Sequence, residues 1–391
     1  MYSASSIGSF QTVLNDFKLE GMMIRYSQFV PRLYNFCLSQ GMEPGKIIPS
    51  RAYCSDESQG FPVILLAKQF GAFPFNHGRV GGIVSTDRHA PHASHGKDIM
   101  IIQASHVGYE PATKEFGIYR RIQTEDCHHS TNCGKILGII KWYMDEYQFA
   151  CNNIYLEPSN SKHFDISINN LLLHEERDEG LLLELKKIIA YNNSGESNLK
   201  RSLSTARSFE ASPELVRSIG NKWTKQKRMP IGNLLKPELF KFKHHLNVDE
   251  ESQGHLEANL IDPMPWIVTH HAPALAAAQI TTQVEFDRTC RTIIIEEGYK
   301  NRNLIFISGI NIDISPRIDQ VFPLTKFIPW AAYVQKSDGN HFILEQQELY
   351  DTLMSFDSEN KQEIDLEEAI KIMEETKEVH ISFDFIDKKK S

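Results

Sequence analysis

Three side chains in the first third of the chain carry metal-binding chemistry: Cys54, His106 and Cys133. They sit in the blocks Tyr-Cys-Ser-Asp-Glu, Ser-His-Val-Gly-Tyr and Ser-Thr-Asn-Cys-Gly-Lys. Two thiols and an imidazole are soft or borderline donors. Catalytic zinc uses such a set, with three protein ligands and a fourth position left open. The gaps between the three are too long for a zinc finger, whose ligands come in close pairs, and suit ligands gathered from separate strand ends. Asp56, two residues after Cys54, is near enough to touch the metal or its water. Two other clusters stay open as metal sites. Cys127, His128 and His129 are denser in sequence, and His89, His92 and His95 repeat every three residues, although Pro91 argues against a helix there.

The elements around these residues are readable from pattern. Lys46 to Tyr53 is predicted as a core strand leading into Cys54. Asp98 to Ala104 is almost wholly apolar and reads as a buried parallel strand delivering His106. Asn132 is predicted to cap a helix over 134–149, with Cys133 in its first turn, where a helix N-terminus lowers a thiol pKa. Phe61 to Phe70 is a short helix candidate, and Gly71 to Gly96 is an irregular, Gly- and His-rich loop of the length that is usually functional or mobile. Ser9 to Gln40 is predicted as one or two helices broken at Pro31. Phe116 to Ile122 is placed as a hairpin partner of the His106 strand, and 152–169 as a connection. Leu171 to Tyr191 is predicted as an amphipathic helix, and Ala272 to Glu297 as a long one. Asn303 to Ile312 is a second buried strand, and Lys326 to Gln335 forms a hairpin with His341 to Glu345 across Asp338-Gly339. An acidic helix over 364–376 and an edge strand over 379–386 complete the pattern. The fold class is α/β, a mainly parallel sheet flanked by helices with additional helical segments. The expected division is a single unit over 1–350, with a helical, basic insertion at about 171–260 and an acidic extension over 351–391.

Composition narrows the classes. The chain has 391 residues, 41% of them hydrophobic, enough for a large core. No apolar run is long enough to span a membrane, and the N-terminus lacks a basic stretch followed by an apolar core, so no secretory signal is expected. Six cysteines in this length do not make a disulfide scaffold; Cys37, Cys151 and Cys290 read as buried thiols, and a cytoplasmic location is expected. Net charge is −8 but uneven: 345–391 holds 14 acidic residues against 6 lysines, while 197–244 holds 11 basic against 3 acidic. The basic stretch carries one tryptophan, Trp223, and no nucleic-acid-binding motif, so it is read as a solvated face or an internal charge partner, and nucleic acid is not expected. A deaminase signature, a nucleophile elbow, a Walker loop and a dinucleotide fingerprint are all absent.

Taken in order, five blocks resemble a known family. They are Cys54-x-Asp56-Glu57, the glycine-rich 70–82, His-Ala-Pro at 89–91, Ser-His106-Val-Gly-Tyr and Cys133-Gly-Lys. They look like the limiting-CO2-inducible protein B (LCIB) family, which is similar to β-class carbonic anhydrases; the run at 304–312 also looks like its C-terminal part. The resemblance implies zinc on Cys54, His106 and Cys133, a homodimer, and hydration of carbon dioxide to bicarbonate by zinc-bound hydroxide. In that reading Asp56 orients the hydroxide, Phe70, Phe73 and Phe75 line an apolar pocket, and His89 or His92 carries the proton away. The chain departs from ordinary β-class enzymes at one position. Those have Cys-x-Asp-x-Arg, and here the last residue is Ser58. The arginine that holds Asp56 off the metal is then expected from the loop, Arg79 or Arg88, with Arg88 preferred. The alternative is an inactive anhydrase-like zinc subunit that binds or regulates, its fourth site closed by Asp56.

Overall fold

Apolar runs with the period of strands assemble the centre of the molecule. The computed structural model describes residues 7–84, 97–121, 130–131, 133–160, 163–174, 178–219, 222–223, 227–246, 251–316 and 324–359, together with Lys371 and Glu375. Its main sheet has eight strands. Three neighbours at its centre run parallel: Ile47–Ala52, Asp98–Glu110 and Leu304–Ile314. Each is buried along nearly its whole length, which is why none alternates apolar with polar residues. The short strand Phe75–Asn76 extends the parallel set past Ile47–Ala52. On the other side, Leu324–Gln335 pairs antiparallel with Leu304–Ile314, and His341–Leu344 folds back on it through a turn in which Gly339 takes φ +90°.

Helices cover both faces, as a parallel sheet requires. Tyr26–Ser39, Gly60–Phe70 and Gln346–Ser355 bury Leu33, Leu66 and Leu349 against Met100, Ile102, Ile305 and Ile307. On the opposite face the long helix Pro273–Ile295 lays Phe286 and Cys290 over Ile99, Ile101 and Phe306, and Ala274 and Ala278 over Val107 and Ile310. The mixed α/β class with a parallel sheet centre is therefore as expected.

Local departures have physical reasons. Pro31 does not break its helix, which runs Tyr26–Ser39 straight through it. The one backbone hydrogen bond that proline forfeits is offset by seven buried side chains on one face, among them Phe29, Leu33 and Phe36. The 152–169 stretch is not a connection but the hairpin Ile154–Asn160 and His163–Asn169, with Ile154, Leu156, Phe164, Ile166 and Ile168 buried at alternate positions. Nor is Leu171–Tyr191 one helix. It holds a single 3-10 turn, the strand Gly180–Leu183 and the four-residue helix Leu185–Ile188. The strand forms because Phe240–Lys243, with Phe240 and Phe242 inward, offers it an antiparallel partner. The region expected to be helical thus adds three strands, Leu199–Ser202, Ala206–Glu210 and Met229–Pro230, to the 154–169 hairpin to make a five-stranded antiparallel sheet, and also holds helices such as Pro213–Ile219. Four basic residues of the positive stretch have acidic partners nearby: Lys200 with Glu210, Arg228 with Glu157, Lys241 with Glu184 and Lys243 with Asp178. The expected helix at 364–376, apart from Lys371 and Glu375, and the strand at 379–386 lie outside the described residues.

Candidate metal centre

Cys54, His106 and Cys133 come together. One ligand atom from each lies within 4.8 Å of the others, and all three residues are buried. Sheet register explains two of them. Ala52 pairs with Gln103, so Cys54, just past the end of Ile47–Ala52, lies beside His106, which sits within Asp98–Glu110 towards the carboxyl side of the sheet, the usual side for a site in such sheets. Cys133 arrives immediately before the helix Gly134–Asn153, in the left-handed conformation at φ 51°. It occupies the capping position itself; Asn132, expected there, lies outside the described residues.

The donor set fits a metal. His106 Nδ1 is 2.9 Å from Asp313 Oδ2, while the buried Nε2 makes no hydrogen bond. A fully buried imidazole nitrogen without such a partner, facing two sulfurs, is the donor pattern of a metal ligand. The backbone N–H of Gly81 donates to Cys54 Sγ at 3.4 Å, a contact suited to thiolate. A hydrogen bond with Cys133 draws the Cys54 thiol down, against burial, with help from His106 and Gly81. The bond with Cys54 and burial push Cys133 well up. The hydrogen-bonded Cys54–Cys133 pair beside His106 thus favours one shared thiolate. Burial opposes protonation of His106, but Cys133, Asp313 and Cys54 outweigh it and raise the imidazole.

Asp56 stands beside the cluster with both oxygens engaged. Ser58 N–H donates to Oδ1 at 3.2 Å, and Arg121 Nη2 reaches Oδ2 at 3.3 Å. Burial pulls the carboxyl up, yet His106, the Ser58 N–H and Arg121 hold it below its ordinary value. Arg121 also pairs with Glu57. The guanidinium seen against Asp56 therefore comes from the 116–122 segment, which the sequence reading placed as a hairpin but did not consider for this role. Arg79 lies in the glycine loop, its N–H on the Ile83 carbonyl. Arg88 lies outside the described residues, as do His89, His92, His95, Cys127, His128 and His129. The aromatic pocket does not form as expected: Phe73 and Phe75 are exposed, and Phe70 packs on Tyr34 on the far face of the sheet.

The glycine loop is pressed against two strands. A Cβ on Gly82 would stand 2.3 Å from the Ala104 carbonyl oxygen, at φ +80°. We expect Gly82→Ala to cost well over about 1 kcal/mol of stability. Gly138→Ala, on an exposed helical position with nothing within 4 Å, should stabilise the fold by roughly 0.5–1 kcal/mol. Denaturant melts of the two variants check both signs.

No protein-family model matches the chain, and no curated protein does. Among solved structures it is similar to PtLCIB4, described as a homolog of the limiting CO2-inducible protein LCIB. That match has TM-score 0.48 and 10% identity, covering 86% of this chain and 99% of that one. A histidine-to-alanine mutant of PtLCIB4 matches at TM-score 0.48 and 11% identity, over 85% and 97%. LCIB itself matches at TM-score 0.41 and 11% identity, over 88% and 100%. These are structures of the family that the ordered sequence blocks resemble.

Proposed function

We propose that this chain is a zinc enzyme that hydrates carbon dioxide to bicarbonate, a carbonic anhydrase of the β type. The observation that carries the reading is the buried Cys54–His106–Cys133 cluster with Asp56 beside it, drawn aside by Arg121. The order of the sequence blocks agrees with it. Zinc held by the two sulfurs and the imidazole would supply the Lewis acidity that lets water lose a proton near neutral pH. Asp56 would accept a hydrogen bond from that water and fix its orientation toward the carbon of CO2. Arg121 keeps the carboxylate in place for this role, since a planar guanidinium competes well for a carboxylate. Glu57, paired to the same arginine, restrains Arg121 from the solvent side. A closed, inactive site would instead need Asp56 free to turn inward, and its two oxygens are engaged by Ser58 and Arg121.

Stopped-flow CO2 hydration on zinc-loaded protein tests the proposal. A rate above buffer that follows zinc content is expected, and no rate with zinc confirmed in place would sink it. The homodimer belongs to the same reading. Its support is the exposed Phe73 and Phe75, beside and on the edge strand of the main sheet. Light scattering should give twice the chain mass of 44.8 kDa, and a monomer mass would remove the dimer. No helix among the described residues is long and apolar enough to cross a membrane.

A further inference from the structure

We propose that Asp313 is a positioning residue: it fixes His106 in the tautomer that presents Nε2 to the metal, and Ser58 ties this carboxylate to the one at Asp56. The proposal rests on the metal reading of the site. Asp313 is wholly buried on the strand next to His106, two residues past His106's register partner Asn311. Four donors meet its two oxygens. Ser58 Oγ lies 2.9 Å from Oδ2 and Thr325 Oγ1 lies 2.9 Å from Oδ1. Gln59 Nε2 lies 2.8 Å from Oδ2 and 3.1 Å from Oδ1, and His106 Nδ1 completes the set at 2.9 Å from Oδ2.

A carboxylate only accepts, so it fixes the direction of every bond that leaves it. Gln59 must turn its NH2 toward Asp313, which leaves its oxygen to accept from Asn311 Nδ2 at 2.6 Å. Asn311 must then accept through Oδ1, and it does so from the Tyr26 hydroxyl at 2.6 Å. The same logic makes His106 Nδ1 a donor. In the neutral ring the lone pair is then on Nε2, the nitrogen facing the two sulfurs. The opposite tautomer would need Nδ1 to accept from Gln59 Nε2, but that contact is 3.5 Å and the Gln59 amide is already spent on Asp313. A carboxylate held by these donors is also unable to swing to the metal. Ser58 joins the two, since its N–H serves Asp56 and its hydroxyl serves Asp313. The hydroxyl therefore has a role in the site that an arginine at 58 would not fill.

The test measures Zn2+ affinity by chelator competition, and the His106 tautomer by 15N NMR of zinc-loaded, histidine-labelled protein. Asp313→Asn should weaken zinc binding by about tenfold to a hundredfold and lose the pure Nδ1–H signature. Ser58→Ala should weaken it less, in the same direction. Thr325→Val, which strips a donor only from the oxygen away from His106, should leave the tautomer unchanged. Wild-type affinity with Nδ1–H retained in Asp313→Asn would overturn the proposal. If that variant does not fold, an unaltered affinity and tautomer in Ser58→Ala overturns it instead. Wild-type protein that binds zinc but hydrates no CO2 would count against the enzyme alone, and these affinities would still decide the role of Asp313.

Discussion

Cys54→Ser, His106→Ala and Cys133→Ser are each expected to strip the protein of most of its zinc, as read by metal analysis of the purified variants. Each removes one of three donors from a site with no fourth His, Cys or carboxylate within the same cluster among the described residues. Apparent binding energies for zinc in structural zinc-finger sites run to about 10–16 kcal/mol, and losing one of three donors here should likewise be a large effect. A serine hydroxyl cannot replace the thiolate that the Cys54–Cys133 pair shares. The remaining described thiols make a good control. Cys37, Cys151 and Cys290 are buried, and desolvation raises each of them, Cys290 to about 12. None of the three belongs to the ligand cluster. Serine at Cys151 or Cys290 should leave zinc content unchanged. Cys127→Ser should also retain the metal. If it alone lost zinc, the Cys127–His128–His129 cluster would be the true site. Chelator should lower the melting temperature of the wild type in proportion to zinc removed, because a ligand that binds only the folded chain stabilises it by mass action. The ligand-deficient variants should melt alike with and without chelator.

What could be read from sequence, and what could not, divides along the range of the interactions. The strand before Cys54 and the strand carrying His106 were legible because a run such as Ile-Met-Ile-Ile can only be buried on both faces. The helix after Cys133 and the hairpin at Asp338-Gly339 were legible because their signals are local. Asp313 left a faint signal. Asn311 and Asp313 are polar residues at alternate positions closing an apolar strand, and polar groups inside a buried strand need partners. The partner's identity was not readable, since 207 positions separate Asp313 from His106 and only sheet register joins them. Arg121 was lost for the same reason. Its segment is placed by the Arg120 N–H on Ser315 Oγ at 3.0 Å, a contact between distant parts of the chain. Leu171–Tyr191 failed differently. A leucine run with flanking charges satisfies both helix and strand periods, and the deciding fact was the Phe240–Lys243 partner.

Arg121→Ala should leave zinc bound and lower the hydration rate by well over tenfold, about 1.4 kcal/mol or more in the barrier. A carboxylate close to a dication will turn onto it unless another cation competes. Asp56 has a side-chain exposure of 10% and Arg121 of 21%, so their pairing is partly shielded from water and stronger than a surface ion pair. Without Arg121, Asp56 keeps, among the described residues, the Ser58 N–H alone. It is then free to take the position that water must occupy. Arg121→Lys should recover only part of the rate, because a single ammonium cannot hold Asp56 and Glu57 together in one plane. The sequence pointed to Arg79 and Arg88 for this role, and the same assay ranks all three. Near-normal activity in Arg121→Ala beside a dead Arg88→Ala or Arg79→Ala would move the role to the glycine- and histidine-rich loop. The sharper measurement is a double-mutant cycle with Asp56→Asn. If Arg121 acts through Asp56, its removal should cost almost nothing once the carboxylate is gone, whereas an arginine that merely stiffens the loop would cost the same in both backgrounds.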